Sequence, residues 1–206
     1  MQILTTFGEL FNLESGFCGW ISFTRPQGIG LFHFRQGSGM MNSPMSIDPE
    51  EVVRAVELFR QAYEKQMSGD LEEAVDLYRE SIEVFPTAEA HTFLGWTYSF
   101  QGRIEEAIEE CKQAIRVDPD FGNPYNDIGV YLIDLGRPDE AVPWLEKAIE
   151  AKRYDAYHYP HYNLGRIYIA KEMYTRARAC LERSLEIAPD YALARQALDQ
   201  LKRKIN

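Results

Sequence analysis

Residues 88–121 read AEAHTFLGWTYSFQGRIEEAIEECKQAIRVDPDF and predict two short helices joined by a tight turn. Apolar and small side chains recur at helical spacing in both halves, which is typical of helices that bury one face. Gly102 lies between the halves, where glycine can end a helix in the left-handed conformation without a steric penalty. Asp118-Pro119 closes the segment, because the residue before a proline is disfavoured in the helical region. A lone hairpin of this size cannot cover its own apolar face, so it needs neighbours of the same shape.

The chain repeats this unit with a period close to 34 residues. The frame is set by the small residue that lies early in each second helix: Ala74, Ala107, Ala141 and Ala177. The same frame aligns the glycines of three turns and the prolines that close three units: Gly69, Gly102, Gly136, Pro86, Pro119 and Pro189. Several positions in phase across four units predict a stack of helical hairpins.

In this pattern the chain resembles the tetratricopeptide repeat (TPR) family, whose repeat of about 34 residues carries Leu-Gly, Tyr, Ala and Pro at fixed positions. The paired position is occupied by Leu94-Gly95, Ile128-Gly129 and Leu164-Gly165. The resemblance covers roughly residues 50–191. It implies an all-α fold, a right-handed α-α superhelix of about four TPR helical hairpins followed by a C-terminal capping helix.

The repeat units are expected at residues 52–87, 88–121, 122–155 and 156–191, within a repeat region of 48–191. Asp48 followed by Pro49 predicts the first helix start, since Asp caps helices well and Pro is tolerated at the first position. Residues 192–206 place apolar side chains on one face and polar ones on the other, which predicts the capping helix.

Three units depart from the family pattern. The first unit has Gln61-Ala62 in place of Leu-Gly and Lys65 in place of Tyr. The third has Arg153 where proline is expected, and the fourth has Lys171-Glu172 where glycine is expected. These departures leave the helices intact and affect the geometry of the local turns.

Residues 1–47 are expected to form an N-terminal extension and linker, weakly structured or with a hairpin around residues 25–28. The opening residues lack the basic start and unbroken apolar core of a secretory signal. Residues 35–47 are rich in Gly, Ser, Asn and Pro, which is typical of a linker. Methionines at 40, 41 and 45 precede the repeats, which leaves open whether residues 1–39 are a native functional segment or an upstream extension.

The formal net charge of −10 argues against nucleic acid as a partner and against binding to an anionic membrane. The charge is uneven, with 11 acids and 4 bases in residues 48–87 but 1 acid and 4 bases in residues 192–206. Solvated outer faces, head-to-tail attraction or steering of a polarised partner would each explain this. Cys111 and Cys180 are expected to be buried, reduced thiols, which suits a cytoplasmic protein.

Motifs for catalysis are missing from the sequence: it has no glycine-rich phosphate loop, no HExxH and no GxSxG. We therefore expect no enzymatic activity, no catalytic residue, no metal and no cofactor. His158 and His161 are three residues apart, but no acidic or cysteine ligand clusters beside them. His161 also aligns with the large-residue position of the first helix, so packing is favoured over metal binding.

In this family the first helices of the units line a concave groove. The resemblance therefore implies a partner-binding groove formed by Phe59, Tyr63, Trp96, Asn123, Asn126, Val130, Tyr159, Tyr162 and Arg166. Trp, Tyr and Arg dominate interface hot spots, and asparagine can pair with both polar groups of a peptide backbone. The alternative is that several of these residues pack between helices.

Two further patterns bear on the groove. The connection after the third unit carries Tyr154, Tyr157, Tyr159 and Tyr162, which either hold a ligand or fill a wider gap. Family members that clamp the terminal carboxylate of chaperone peptides use Lys, Asn and Arg at set positions. Here Phe59, Tyr63, Asn123 and Asp127 stand there, so that clamp is not expected.

The sequence thus predicts a non-enzymatic protein–protein interaction module that binds a partner peptide or helix in the concave groove. One alternative is a secretion-type chaperone that shields a hydrophobic protein substrate. Another is a scaffold that self-associates through its N-terminal segment, so the chain is expected to be a monomer or weakly self-associating. The sequence does not identify the partner or the biological pathway.

Overall fold

The computed structural model describes residues 48–205, which fold into nine α-helices. In chain order these are α1 Pro49–Ser68, α2 Leu71–Val84, α3 Ala88–Phe100, α4 Ile104–Val117, α5 Asn123–Asp134, α6 Pro138–Glu150, α7 His158–Ala170, α8 Tyr174–Ile187 and α9 Ala192–Ile205. The predicted helix start is confirmed, because the Asp48 side chain accepts a hydrogen bond from the backbone N–H of Glu50. The hairpin, linker and self-association predicted for residues 1–47 lie outside the described residues.

The helices pair in sequence as antiparallel hairpins, α1 with α2, α3 with α4, α5 with α6, and α7 with α8. Each second helix packs on the first helix of the next hairpin, and α9 packs against α7 and α8. Since no strand occurs between residues 48 and 205, the predicted all-α class is confirmed. None of these helices has the length and apolar character needed to cross a bilayer.

The stack curves with its first helices on the inside. α1 contacts α3, α3 contacts α5, and α5 contacts α7, whereas the second helices of successive hairpins in residues 48–205 do not meet. Helices on the inner side of a curved stack lie closer together than those on the outer side. The first helices therefore form an inner wall, as the predicted superhelix requires.

The two helices of each hairpin pack closely against each other at the paired Leu-Gly position. A Cβ atom on Gly129 would lie 2.5 Å from Cδ2 of Leu145, and one on Gly165 would lie 2.8 Å from Cδ2 of Leu181. Both leucines are fully buried, so a larger side chain would push the two helices apart. The first hairpin carries Ala62 at this position, fully buried and still small.

The turns inside the hairpins show the effect of replacing the turn glycine of the fourth unit by Lys171-Glu172. Gly69, Gly102 and Gly136 adopt φ values of 88°, 75° and 71°, which confirms the left-handed helix end predicted for Gly102. In the fourth hairpin Glu172 occupies the same turn with φ of 56°. The turn geometry is thus kept, at the steric cost of a Cβ atom in the left-handed region.

The third unit's departure creates a link between hairpins. The Arg153 backbone N–H donates to the carbonyl of Asp120 at 2.8 Å, and the N–H of Gly122 donates to the carbonyl of Arg153 at 3.0 Å. The Arg153 guanidinium pairs with Asp118 and Glu89 and lies 4.0 Å from the ring centroid of Phe121. The residue that replaces proline therefore joins the third hairpin to the second.

The two cysteines of the repeat region differ in burial. Cys111 on α4 is fully buried, as predicted, and burial raises the pKa of its thiol well above the ordinary value. Cys180 on α8 is only half-buried, so the prediction of a buried thiol is wrong there. α8 belongs to the last hairpin and is covered on its far side by α9 alone, which leaves more of it in solvent.

Candidate functional site

The inner wall begins with a group of aromatic rings on α1 and α3, which we call the aromatic half: Phe59, Tyr63, Phe93, Trp96 and Phe100. The ring centroids of Phe59 and Tyr63 lie 5.2 and 5.9 Å from that of Phe93. Phe93 lies 5.4 Å from Trp96, which lies 5.8 Å from Phe100. These edge-on and tilted contacts are favourable for aromatic pairs and hold the rings together as one group. Three of the predicted groove residues, Phe59, Tyr63 and Trp96, are thus brought together.

The wall continues on α5 and α7 as a hydrogen-bonded group, the polar half: Asn126, Asp127, Asn163 and Arg166. Nδ2 of Asn163 donates to Oδ1 of Asn126 at 3.1 Å, which joins the two helices. Nδ2 of Asn126 in turn donates to Oδ1 of Asp127 at 3.5 Å. At the other end Nη1 of Arg166 donates to Oδ1 of Asn163 at 3.4 Å. Each amide therefore points its N–H toward Asp127 and its oxygen toward Arg166.

Asp127 is a carboxyl group with unusual protonation. Its residue is only 8% exposed, and burial raises the pKa of Asp127 to about 7 because the charged form loses hydration. The hydrogen bond from Asn126 opposes this rise in pKa but does not cancel it. The wall therefore contains a carboxyl group that is partly protonated near neutral pH.

The predicted groove residues differ in how much of each remains accessible. Asn126, Val130 and Tyr159 are buried, at 5%, 7% and 6% exposure, so the packing alternative applies to them. The other six are half-buried: Phe59, Tyr63, Trp96, Asn123, Tyr162 and Arg166. Binding of a partner by any of the nine stays a prediction.

The tyrosines after the third unit separate into two pairs. Tyr154 packs so tightly on Gly122 that a Cβ atom there would lie 2.4 Å from the Tyr154 side chain. The Tyr157 hydroxyl donates to the carbonyl of Ala151 at 2.6 Å, so this first pair fills the longer connection. Tyr159 and Tyr162 instead face Tyr191, with ring centroids 5.5 and 5.2 Å away.

The two histidines of α7 lie in packed surroundings. The His158 ring lies 4.0 Å from Tyr159 and 5.0 Å from Tyr191, and burial lowers the pKa of both His158 and His161. Within the part of the chain that the structure describes, no group of three potential metal ligands is present.

Sequence reasoning missed two residues that contribute to the wall. Phe93 is in contact with four other rings, and Asn163 joins α5 to α7. Each stands immediately before the paired Leu-Gly position of its unit. Phe93 lies three residues before Trp96 and Asn163 three residues before Arg166. Residues one turn apart on a helix share a face, so both could have been included with these predicted groove residues.

A stack of two-helix units whose first helices line one wall defines a helical-repeat protein. Family models described as tetratricopeptide repeat match residues 88–121, 123–155 and 158–191. The chain belongs to the tetratricopeptide repeat family.

Among curated proteins, the chain is similar to small glutamine-rich tetratricopeptide repeat-containing protein 2 of Mycosarcoma maydis. The two are 29% identical over 102 residues, which are 49% of this chain and 29% of the relative. The chain spans less than a third of the length of the first curated relatives that it matches.

Among solved structures, the chain is similar to PilF of Pseudomonas aeruginosa, with a TM-score of 0.70 and 21% identity over 75% of this chain and 70% of PilF. It is also similar to the first TPR domain of Spaghetti (RPAP3) bound to an HSP90 peptide. That match has a TM-score of 0.53 and 21% identity over 58% of this chain and 93% of the other. At these identities the likeness shows the fold.

Proposed function

We propose that the protein is a non-enzymatic interaction module whose inner wall binds a peptide or helix of a partner protein. The wall offers two kinds of contact side by side. The aromatic half supplies large apolar surface, and the polar half supplies the half-buried guanidinium of Arg166. Together they match a segment that carries apolar side chains and exposes backbone polar groups.

The main support for this proposal is the location of the exposed apolar side chains. Six large apolar residues are exposed within residues 48–205, and four of them lie on α1 and α3: Val53, Val56, Met67 and Phe100. The aromatic half lies on these same two helices. Apolar surface that is concentrated in one region rather than scattered is typical of interaction sites.

The comparisons support a peptide as the bound element. The similar TPR domain of RPAP3 is bound to a heptapeptide of HSP90, so this fold can hold a short peptide. The sequence gives no reason to expect the same peptide here, because Phe59, Tyr63, Asn123 and Asp127 occupy the positions of the terminal carboxylate clamp.

The test is capture of the partner by the wild-type chain and by a double variant, Trp96→Ala with Tyr162→Ala. Truncating two hot-spot aromatics is expected to lower affinity by about 2 kcal/mol or more, which removes the partner from a pull-down. The matched control is Val117→Ala, because Val117 is 45% exposed but lies on α4, outside the wall.

Folding of each variant is checked by circular dichroism and by its urea midpoint. A protein that is captured by the wild type and by Val117→Ala, but not by the double variant, supports the groove. Undiminished capture by a folded double variant contradicts it. If the captured protein is insoluble unless co-expressed with this chain, the module acts as a chaperone for it.

A further inference from the structure

Arg166 differs from the other half-buried cations of the repeat region. Within residues 48–205 four lysine and arginine side chains are half-buried: Lys65, Arg103, Lys112 and Arg166. The first three have carboxylate partners, Glu73 at 2.7 Å, Glu106 at 2.7 Å and Glu109 at 3.4 Å. Arg166 makes no ion pair with any residue in this range. Its side-chain hydrogen bond goes to a neutral acceptor, Oδ1 of Asn163, at 3.4 Å.

The surroundings of Arg166 contain a second unsatisfied group. The Tyr191 hydroxyl is buried and has no hydrogen-bond partner among the described residues. Its ring lies 5.2 Å from that of Tyr162, whose face is 5.8 Å from the Arg166 guanidinium. Asp134 on α5 is the carboxylate whose pKa Arg166 influences: burial raises that pKa and Arg166 opposes the rise. The two side chains nevertheless do not come within ion-pair distance of each other.

A guanidinium removed from water without a carboxylate partner is costly, and so is a buried hydroxyl without a hydrogen bond. Arginine presents five N–H donors in a planar fork that matches the two oxygens of a carboxylate. The long bond to Asn163 occupies one donor weakly and leaves the rest of the fork available. An incoming carboxylate would satisfy the Arg166 guanidinium.

We propose that Arg166 is the receptor for an acidic side chain of the peptide that lies along the inner wall. This rests on the proposed function of the wall. The ligand is an internal Asp or Glu side chain, set at a fixed distance from the apolar residues that contact the aromatic half.

The helix spacing defines that distance. Trp96 and Arg166 occupy equivalent positions on α3 and α7, with α5 between them. Packed helices lie about 8–10 Å apart, so the two positions are separated by about 16–20 Å. An extended chain advances about 3.3 Å per residue, so the acidic residue should stand about five or six positions from the apolar anchor.

The probe is a display library of random peptides of about twelve residues, long enough to span α3 to α7 in extended form. It is selected on the wild-type chain, on Arg166→Gln and on Arg183→Gln. Arg183 is the matched control because it is an exposed arginine on α8, paired with Glu186 at 2.8 Å. Selected peptides are resynthesised with Glu or Gln at the acidic position, and their affinities are compared.

In wild type and Arg183→Gln, we expect enrichment of acidic residues at one offset from apolar ones. The Glu peptide should bind at least about tenfold more tightly than its Gln counterpart, as for a hydrogen bond to a charged group. This preference should disappear in Arg166→Gln. It should weaken in Arg166→Lys, which keeps the charge but loses the fork.

The failures are distinguishable. Enrichment of apolar peptides with no acidic preference contradicts the proposed receptor at Arg166 but agrees with peptide binding by the inner wall. If no peptide is enriched, the result counts against the groove. The receptor is then tested by NMR of the Arg166 Nε–H signal, which is assigned by its loss in Arg166→Gln. A shift of this signal with N-acetylglutamate α-methylamide but not with N-acetylglutamine α-methylamide supports the receptor, and no shift overturns it.

Discussion

Nε of Arg153 donates to Oδ2 of Asp118 across 2.8 Å and so ties the end of the third hairpin to the end of the second. The same guanidinium reaches Oε1 of Glu89 at 2.7 Å, at the start of α3. One side chain thus contacts both ends of the second hairpin. At the position where the family pattern has a proline, this chain has Arg153, whose ion pairs join two units.

Replacing Arg153 with alanine removes two ion pairs and a contact with the Phe121 ring. Exposed pairs contribute about 0.2–1 kcal/mol each and a cation–π contact about 0.5–1 kcal/mol, so we expect a loss of about 1–2 kcal/mol in unfolding free energy. Urea unfolding measures it, and the loss should shrink at high salt.

The control for Arg153→Ala is Arg178→Ala, which breaks an exposed pair with Glu182 inside α8. It should change stability by less than about 0.5 kcal/mol. Equal effects of the two variants would show that the link between hairpins adds nothing to an ordinary surface pair.

The turn at Glu172 gives a reciprocal pair of substitutions. Glu172→Gly removes the steric strain of a left-handed residue that carries a Cβ atom, although glycine also gives the unfolded chain more conformational freedom. We therefore expect the free energy of unfolding to increase by about 0.5 kcal/mol. Gly136→Ala places a Cβ at φ of 71° with no atom within 4 Å, so only backbone strain acts and stability should fall by about 1 kcal/mol. Changes of the same sign in urea unfolding would refute this explanation of the turns.

Asp127 predicts a pH dependence of stability. Its pKa is raised in the folded state to about 7. Below this pH the folded chain therefore binds a proton at Asp127, whereas the unfolded chain binds that proton only at much lower pH. Its contribution therefore increases stability as pH falls, by about 2–3 kcal/mol between pH 8 and pH 5. Asp127→Asn mimics the protonated form and should remove this dependence.

The measurement is the difference in unfolding free energy between Asp127→Asn and the wild type at several pH values. His158 and His161 act in the opposite direction, since burial lowers the pKa of each and the unfolded chain takes up their protons as pH falls. They are present in both proteins, so the difference isolates Asp127. A difference that does not change with pH would mean that Asp127 does not titrate in this range.

Local signals predicted the fold. α4 ends at Val117 ahead of Asp118-Pro119, and Gly102 turns left-handed between α3 and α4, because both outcomes depend on the backbone preferences of a few adjacent residues. The repeat then supplies the packing, since each unit presents the same apolar face to the next.

Contacts between distant residues could not be predicted. Arg153 meets Asp118 and Glu89 across 35 and 64 residues of sequence, and Asn163 meets Asn126 across 37. The burial of Val130 likewise depends on α5 having a hairpin on either side of it, which the composition of α5 does not reveal. The aligned frame placed Phe59, Tyr63 and Trp96 on one wall, but it did not give the pairing of the polar side chains there.

The way the hairpins are joined changes along the stack. The first and second hairpins meet through ring contacts such as Phe59 with Phe93, which tolerate sliding and tilting. The later hairpins are joined by directional bonds, at Arg153 and between Asn126 and Asn163, which weaken steeply when their angles change. Bending is therefore easiest at the amino-terminal end of the stack, and a bulky occupant would be accommodated by movement of the first hairpin while the remaining three keep their shape.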